Sequence, residues 1–454
     1  MAQNKISATV RMNRVRWRNF ASCAQLRTAS YKLAPQATDF MSNRANHNCA
    51  TTQTKFVGRF CETPTQQMAS DTDAPQFSHE IRHLYVHIPF CARICPYCAF
   101  YKDLLDRSQT KRFCEAILRK LEQLVAAHEV FPSTIYFGGG TPTALNIAQL
   151  ELLLRGFHER LELSRLVEWT MEANPGSVSP RKASLLKKFA VNRISLGVQS
   201  WDDELLKLLG RDHNARQAEE SFWVLRAAGF ANINVDLMFG LPGQTAEQWR
   251  STLERTIALE PEHISTYCLT YEEDTEFFLR QARGEFRADS DREAEFFEMT
   301  MSILSAKGRV RCGEEVAGYD YYEISNYARP GFESVHNRAY WCGEDYLGIG
   351  PSAFSTVGLR RWQNVPNYRE YIERVLSGRS AIGSTENLTP EMKRTEKIAL
   401  SLRTRDGVPA DLLSIKPNQT YEFVALGLLE QLNGNFVLTG KGKSLADSVA
   451  EAFL

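Results

Sequence analysis

Six short runs of apolar and β-branched residues between residues 84 and 268 constrain this chain to an α/β fold. The runs are Leu84–Ile88, Ser133–Phe137, Val167–Ala173, Arg193–Val198, Ile233–Met238 and His263–Cys268. The segments between them are typical of helices. The clearest is 246–259, where apolar residues recur at every fourth position from Trp249, after a capping box of Thr245 and Gln248. Strands that alternate with helices predict parallel βαβ units with right-handed crossovers.

Six such units can close into a partly open barrel or form an open, doubly wound sheet, and the strand pattern alone does not choose between them. Both architectures place their chemistry at the carboxyl ends of the strands. In this chain a group of cysteines, a run of glycines, Glu172 and Asp236 all fall at or just after predicted strand ends. We therefore expect these residues to share one site.

The alternation fades after residue 280, which predicts further segments. A helix is expected over 291–306, followed by an irregular stretch rich in Gly, Tyr and Asn to about residue 360. From residue 386 a helix at Pro390–Leu402, a strand at Asn435–Leu438, a Lys-Gly-Lys turn and a final helix resemble a winged-helix module. It has no basic stripe beyond Lys441 and Lys443, which favours a structural cap over DNA binding. The chain is therefore divided into four predicted segments. They are an N-terminal extension at 1–67, the α/β region at 80–280, an additional segment at 281–385 and the winged-helix-like segment at 386–454.

Charge and hydropathy exclude two classes of protein. Lys+Arg and Asp+Glu both total 54, so the chain lacks the positive excess that binding to a nucleic-acid backbone requires. No apolar run reaches the roughly 18 residues of a membrane helix, so we expect no stable membrane insertion. The ten cysteines are too sparse for a disulfide scaffold and favour a reducing, cytoplasmic compartment.

The first sixty residues differ in composition from the rest, with seven Arg, three Lys and one acid, Asp39. This composition is typical of an organelle transit peptide, which would make the protein mitochondrial. An over-long start, with the true one at Met68, is an equally good interpretation. On either interpretation, segment 1–67 is not part of the fold.

Three cysteines, Cys91, Cys95 and Cys98, follow the first predicted strand with the spacing C-x3-C-x2-C. Three thiolates on one short loop can bind three irons of a cubane cluster, and the fourth iron then keeps an open coordination position. A zinc site usually has four ligands in pairs, and no second pair follows at a suitable spacing. A redox pair of Cys95 and Cys98 would leave Cys91 unexplained. The spacing therefore favours an iron–sulfur cluster.

Glycines and polar residues follow the other predicted strands. The run Gly138–Thr143, Gly-Gly-Gly-Thr-Pro-Thr, comes after the second strand, where it is either a tight turn or a place of close backbone approach to a ligand. Glu172 and Asn174 end the third strand, and a carboxylate there can accept hydrogen bonds from ribose hydroxyls. Taken singly, Gln199, Arg211 and Asp236 could be ordinary buried polar residues.

The cysteine spacing after a first strand, with Tyr97 before the last cysteine, resembles the radical S-adenosylmethionine (SAM) superfamily. The resemblance implies a partial (β/α)6 barrel, a [4Fe–4S] cluster on Cys91, Cys95 and Cys98, and SAM chelated to the open iron. The ordered motifs from residue 80 to the C-terminus are similar to the oxygen-independent coproporphyrinogen III oxidase superfamily. The SAM contacts that this similarity implies are Tyr85, Gly139, Gly140, Thr141, Glu172, Gln199, Arg211 and Asp236.

Two branches of that superfamily differ at positions that this chain contains. True oxidases have a further cysteine two residues after the cluster motif, where this chain has Phe100. HemW-type heme chaperones carry His-Asn-x-x-Tyr-Trp, which matches 336–341 here. A lone histidine in a loop is more often structural, but the motif implies heme as a cofactor with His336 as a candidate axial ligand. Tyr340 and Trp341 could then pack on the porphyrin.

The resemblance to the chaperone branch also implies partners. They are heme, a heme-acceptor protein of unknown identity and a reductant for the cluster, with room for a homodimer and no role for nucleic acid. Two alternatives stay open: a coproporphyrinogen III oxidase, and a radical SAM enzyme that acts on some other substrate.

Overall fold

Each of the six apolar runs forms a β-strand in the computed structural model of the chain, which describes residues 80–305, 309–311, 314–316 and 318–453. Segment 1–67 lies outside the described residues. Two further short strands flank the cysteine loop. The strands of this part are β1 Ile81–Ile88, β2 Phe90–Cys91, β3 Asp103–Leu104, β4 Val130–Gly139, β5 Glu168–Ala173, β6 Arg193–Gln199, β7 Ile233–Phe239 and β8 His263–Cys268.

Helices connect the strands, and capping boxes begin three of them. In each box the side chain of an Asn or Thr accepts from the backbone N–H of a Gln three residues later. The side chain of that Gln in turn accepts from the backbone N–H of the Asn or Thr. The box of Thr245 and Gln248 confirms the predicted helix start. The helices are α1 Thr110–Ala127, α2 Ile147–Arg160, α3 Pro180–Lys188, α4 Asp203–Leu208, α5 Ala215–Ala227 and α6 Ala246–Ala258.

The next segment mixes short strands with helices, and in one place it corrects the sequence prediction. The motif 336–341 was expected in a loop but lies in a helix, α9, because Ser334 caps its N-terminus by accepting from Asn337 N. The predicted helix over 291–306 is α8. The elements are α7 Glu276–Ala282, α8 Ser290–Leu304, β9 Arg309–Arg311, β10 Glu314–Val316, β11 Asp320–Glu323, β12 Asn326–Ala328, α9 Val335–Trp341, β13 Leu347–Ile349, β14 Phe354–Val357, β15 Arg360–Asn364, α10 Tyr368–Leu376 and β16 Ile382–Asn387.

The C-terminal part has the helices and three-stranded antiparallel sheet of a winged-helix-like unit, in strand order β17-β19-β18. The predicted helix at Pro390–Leu402 is confirmed. The predicted Lys-Gly-Lys turn is wrong: Thr439 accepts from Gly442 N and caps a short helix there. The elements are α11 Pro390–Leu402, β17 Val408–Pro409, α12 Ala410–Leu413, α13 Pro417–Ala425, β18 Leu429–Leu432, β19 Asn435–Leu438, α14 Gly440–Ser444 and α15 Ala446–Phe453.

The main sheet has nine strands in the order β11-β12-β8-β7-β6-β5-β4-β1-β13. Strands β1 and β4 to β8 are mutually parallel and adjacent in chain order. A doubly wound sheet requires a reversal of strand order, and these six strands have none. The fold is therefore a partial (β/α)6 barrel. Strand β13 adds in parallel beside β1, and β12 adds antiparallel beside β8.

Alternation along the parallel strands gives the barrel two different faces. In β6, Ile194 and Leu196 point into the apolar layer under the helices, whereas Ser195 and Gln199 face the inside. Strand β7 repeats the pattern, with Asp236 on the inner face. The inner face of the barrel strands is thus polar, whereas their outer face packs in the apolar layer under the helices. No helix in the described part of the chain is long and apolar enough to cross a membrane.

Candidate functional site

A cavity of about 1780 Å³, its open mouth included, lies at the carboxyl ends of β4 to β8. The cysteine loop after β2 forms one of its walls. Of the twelve residues that the sequence analysis assigned as cluster ligands, SAM contacts or the heme axial ligand, ten line this cavity: Cys91, Cys95, Cys98, Gly139, Gly140, Thr141, Glu172, Gln199, Arg211 and Asp236. The expectation that strand-end residues share one site is met by their positions, because parallel strands bring their carboxyl ends to one edge.

The cysteine loop is held on the barrel by backbone hydrogen bonds from the glycine run. Gly140 N donates to Ile88 O at 2.8 Å, and Thr141 N donates to Phe90 O at 2.8 Å. The far end of the loop returns through Leu105 N, which donates to Cys91 O at 3.0 Å. The two motifs that are fifty residues apart in sequence are therefore one structural unit.

Hydrogen-bond donors surround the three sulfur atoms. Arg211 Nη1 lies 3.5 Å from Cys95 Sγ, and Thr141 Oγ1 lies 3.7 Å from Cys91 Sγ. The backbone N–H of Phe100 is directed at the Cys98 sulfur. Burial raises the pKa of Cys91 to about 11, so the metal-free thiol is protonated at neutral pH. The donors favour the thiolates that bound iron would require, and metal binding would release the protons.

The three thiols fit a cluster because each of its irons takes one thiolate. Among the described residues, no three His, Cys, Asp or Glu side chains converge on a point where a single metal ion could be held. The cysteines are partly accessible from the cavity, so a ligand in the cavity could reach a cluster bound to them.

Glu172 fastens the glycine run to β5 and also faces the cavity. Gly139 N donates to Glu172 Oε2 at 3.0 Å, and the Tyr136 hydroxyl donates to Oε1 at 2.8 Å. Burial raises the pKa of this carboxyl to about 7. Gly139 has φ +106°, and a Cβ there would lie 2.5 Å from the His87 ring, so only glycine fits.

Strained and hydrogen-bonded backbone fixes the residues on β6 and β7. Gln199 has φ +69°, and the pairing of β6 with β7 is irregular between Gly197 and Gln199. Such strain in a non-glycine residue is typical of functional sites. Asp236 accepts from Ser195 Oγ and from Asn234 Nδ2, each at 2.8 Å, and burial raises the pKa of its carboxyl.

Tyr85 and His336 are buried beneath the cavity and are not among the described residues that line it. The Tyr85 hydroxyl lies 2.9 Å from His87 Nδ1 and so supports the ring against which Gly139 packs. His336 is 0% exposed, and its ring stacks on Tyr136 at a centroid distance of 5.0 Å. A direct contact of either residue with a cofactor stays a prediction.

Sequence reasoning missed several residues that line the cavity, among them Asn337 and Cys268. Asn337 and Trp341 belong to the same motif as His336, four positions apart on one face of α9. Treated as a helix rather than a loop, the motif would have pointed to Asn337, one turn before Trp341. Cys268 ends β8 at the strand end where the other site residues cluster, so its position was also a usable signal.

The partial barrel and a three-cysteine loop facing a cavity of glycines and carboxylates define a radical SAM protein. Residues 85–256 match the family model described as Radical SAM superfamily. The chain is 37% identical over 380 residues to "Heme chaperone HemW" of Lactococcus lactis, covering 82% of this chain and 96% of that one. It is 34% identical over 386 residues to the Bacillus subtilis protein of that name, covering 82% and 99%. The chain belongs to the HemW family of radical SAM proteins.

A solved structure shares the fold. It is coproporphyrinogen III oxidase (HemN) from Escherichia coli, described as a radical SAM enzyme, with a TM-score of 0.71 and 22% identity. The superposition covers 84% of this chain and 91% of that one. At this identity the similarity establishes the architecture only. Membership of the radical SAM superfamily implies a [4Fe–4S] cluster and SAM as cofactors.

Proposed function

We propose that this chain is a heme chaperone that binds heme and passes it to an acceptor protein, with a [4Fe–4S] cluster and SAM held in the cavity. The similarity to proteins named heme chaperone HemW over nearly their full length carries the proposal. Phe100 supports the proposal over the oxidase alternative. True oxidases have a cysteine at this position, and a phenylalanine at the mouth of the cavity can neither ligate metal nor do thiol chemistry.

Cys91, Cys95 and Cys98 would hold the cluster, and the backbone of Gly139, Gly140 and Thr141 would approach the methionine end of SAM. Glu172 would accept hydrogen bonds from the ribose, since each oxygen keeps a lone pair beyond the bond that it already accepts. When bound, the cluster would supply the electron for reductive cleavage of SAM. Gln199, Arg211 and Asp236 complete the polar wall on β6 and β7 and the loop between them.

His336 is the proposed axial ligand of heme, and one orphaned atom supports that role. Its Nδ1 lies 2.7 Å from Thr134 Oγ1, whereas its buried Nε2 has no hydrogen-bond partner among the described residues. A ligating histidine typically has one ring nitrogen hydrogen-bonded and the other free for iron. Because the ring is fully buried beside Tyr136 and Tyr340, ligation requires these covering side chains to move.

Replacing His336 by alanine should change the heme spectrum without affecting the cluster. We expect His336→Ala to leave the Soret band of added ferric heme close to that of free heme and to weaken binding about tenfold or more. The matched control is His128→Ala, since His128 lies outside the cavity lining. A titration of His336→Ala that overlays the wild type would remove this residue from the heme site.

The function is tested by offering the reconstituted chain two substrates. Under anaerobic conditions with SAM and a reductant, we expect heme to bind and move to an apo-hemoprotein, and coproporphyrinogen to stay unconverted. Robust formation of protoporphyrinogen would replace the chaperone proposal with the oxidase alternative. Active SAM cleavage in a chain that binds no heme would point instead to a radical SAM enzyme with another substrate.

A further inference from the structure

The mouth of the cavity carries exposed apolar side chains on the cysteine loop. Ile94 lies between the first two cysteines, and Phe100 lies two residues after the last. Both line the cavity, and each is 43% exposed. Large exposed apolar side chains on the wall of one cavity are typical of a ligand surface rather than of chance exposure.

The backbone of this loop is fixed while the two side chains stay free. Cys98 N donates to Cys95 O at 3.2 Å, Lys102 Nζ donates to Cys98 O, and Asp103 N donates to Pro89 O at 2.8 Å, so the chain on both sides of Phe100 is held against the cluster site. The Phe100 ring therefore projects from an anchored backbone. A ring held in this way loses little conformational freedom when a ligand covers it.

A cation accompanies the apolar pair. Arg93 is exposed, lines the same cavity and makes no hydrogen bond or ion pair within the part of the chain that the structure describes. Lys102 is engaged with Cys98 O, whereas the guanidinium of Arg93 is free to bind a ligand carboxylate in bidentate fashion. The mouth thus combines an apolar face with an uncommitted positive charge.

We propose that Phe100 and Ile94 receive the flat face of the porphyrin and that Arg93 pairs with one of its propionate carboxylates. This inference rests on the proposed heme binding but not on axial ligation by His336, which is buried beneath the cavity. It places the ring at the mouth of the cavity. SAM also combines a flat ring with a carboxylate. However, the hydrogen-bonding groups that would suit its ribose, Glu172 and Asp236, lie deeper, on strands β5 and β7.

The test separates the apolar and the charged contributions. The anaerobically reconstituted full-length chain is titrated with ferric heme and with heme dimethyl ester, whose propionates carry no charge. We expect Phe100→Ala to weaken binding of both about tenfold. Arg93→Gln should weaken binding of heme several-fold and leave that of the ester unchanged. Neither variant should change the affinity for SAM.

Matched controls use exposed residues of the C-terminal part, outside the cavity lining. Tyr421→Ala removes an aromatic ring that is 74% exposed, and Arg394→Gln removes an exposed arginine of α11. Both should bind heme as the wild type does. If Phe100→Ala fails to take up the cluster, Phe100→Leu, which keeps an apolar side chain but removes the ring, tests the aromatic contribution. Arg93→Gln then tests the charged contribution.

The possible failures are distinguishable. A wild-type chain that binds no heme contradicts the proposed function and this inference together. Normal heme binding by both Phe100→Ala and Arg93→Gln contradicts the inference alone and leaves heme binding intact. A loss of SAM affinity as large as the loss of heme affinity assigns the surface to SAM and overturns the inference.

Discussion

The Cys91→Ala variant should lose the brown absorbance and the EPR signal of the reconstituted chain completely. In the proposed cluster each of the three thiolates is the protein ligand of one iron, so removing Cys91 leaves one iron without its protein ligand. SAM binding should fall with the cluster, because the open iron is the expected anchor for its amino and carboxylate groups. Absorbance, EPR and iron analysis after anaerobic reconstitution measure the effect.

Cys342→Ala is the matched control for this variant. Cys342 is an exposed thiol that directly follows α9 and does not line the cavity. We expect it to reconstitute as the wild type does. A Cys91→Ala chain that still shows the full cluster spectrum would remove this cysteine from the proposed ligands.

The Glu168→Ala variant should destabilise the fold by about 3–5 kcal/mol, the usual cost of leaving a buried charge without its partner. Glu168 is 4% exposed in β5 and accepts from Val335 N at 2.8 Å and from His336 N at 3.2 Å, so it holds the start of α9. Its charge also faces Arg193, which is 2% exposed. Burial tends to lower the pKa of Arg193, and Glu168 is the largest of the charges that oppose this effect.

Urea denaturation measures this loss, and two further variants define its origin. Glu151→Ala breaks an exposed ion pair with Arg155 and should cost less than about 1 kcal/mol. The double variant Glu168→Leu with Arg193→Met removes both buried charges and should recover part of the lost stability. A Glu168→Ala chain as stable as Glu151→Ala would contradict the ascribed role.

The sequence predicted the six parallel strands well because they are buried on the helix side and therefore read as apolar runs. The choice of a barrel over a doubly wound sheet came from the family resemblance and not from the strand pattern. The strand at His263–Cys268 and the helix at Pro390–Leu402 have the predicted bounds. Strand β13 was not predicted. It is three residues long, and it forms by pairing with β1, more than 250 residues earlier, so local pattern carries little signal for it. Gly350 marks its end, with φ +106° and a missing Cβ that would lie 2.4 Å from His87 O.

The site was predictable to the extent that its residues follow strand ends. Side-chain burial was not predictable, because it depends on distant partners. His336 is covered by Tyr136 from β4, and Tyr85 is fixed by His87, so neither faces the cavity directly. The buried carboxylate that caps α9 comes from Glu168, about 170 residues earlier in the chain. Such a contact leaves no trace in the motif itself.

The most direct test of the central claim is EPR of the reduced, anaerobically reconstituted chain, recorded with and without SAM and accompanied by metal analysis. If Cys91, Cys95 and Cys98 hold a cubane with one open iron, iron and sulfide should appear in the ratio of a [4Fe–4S] cluster, and the spectrum should change when SAM binds. Zinc in place of iron, or a cluster whose spectrum ignores saturating SAM, would contradict the account.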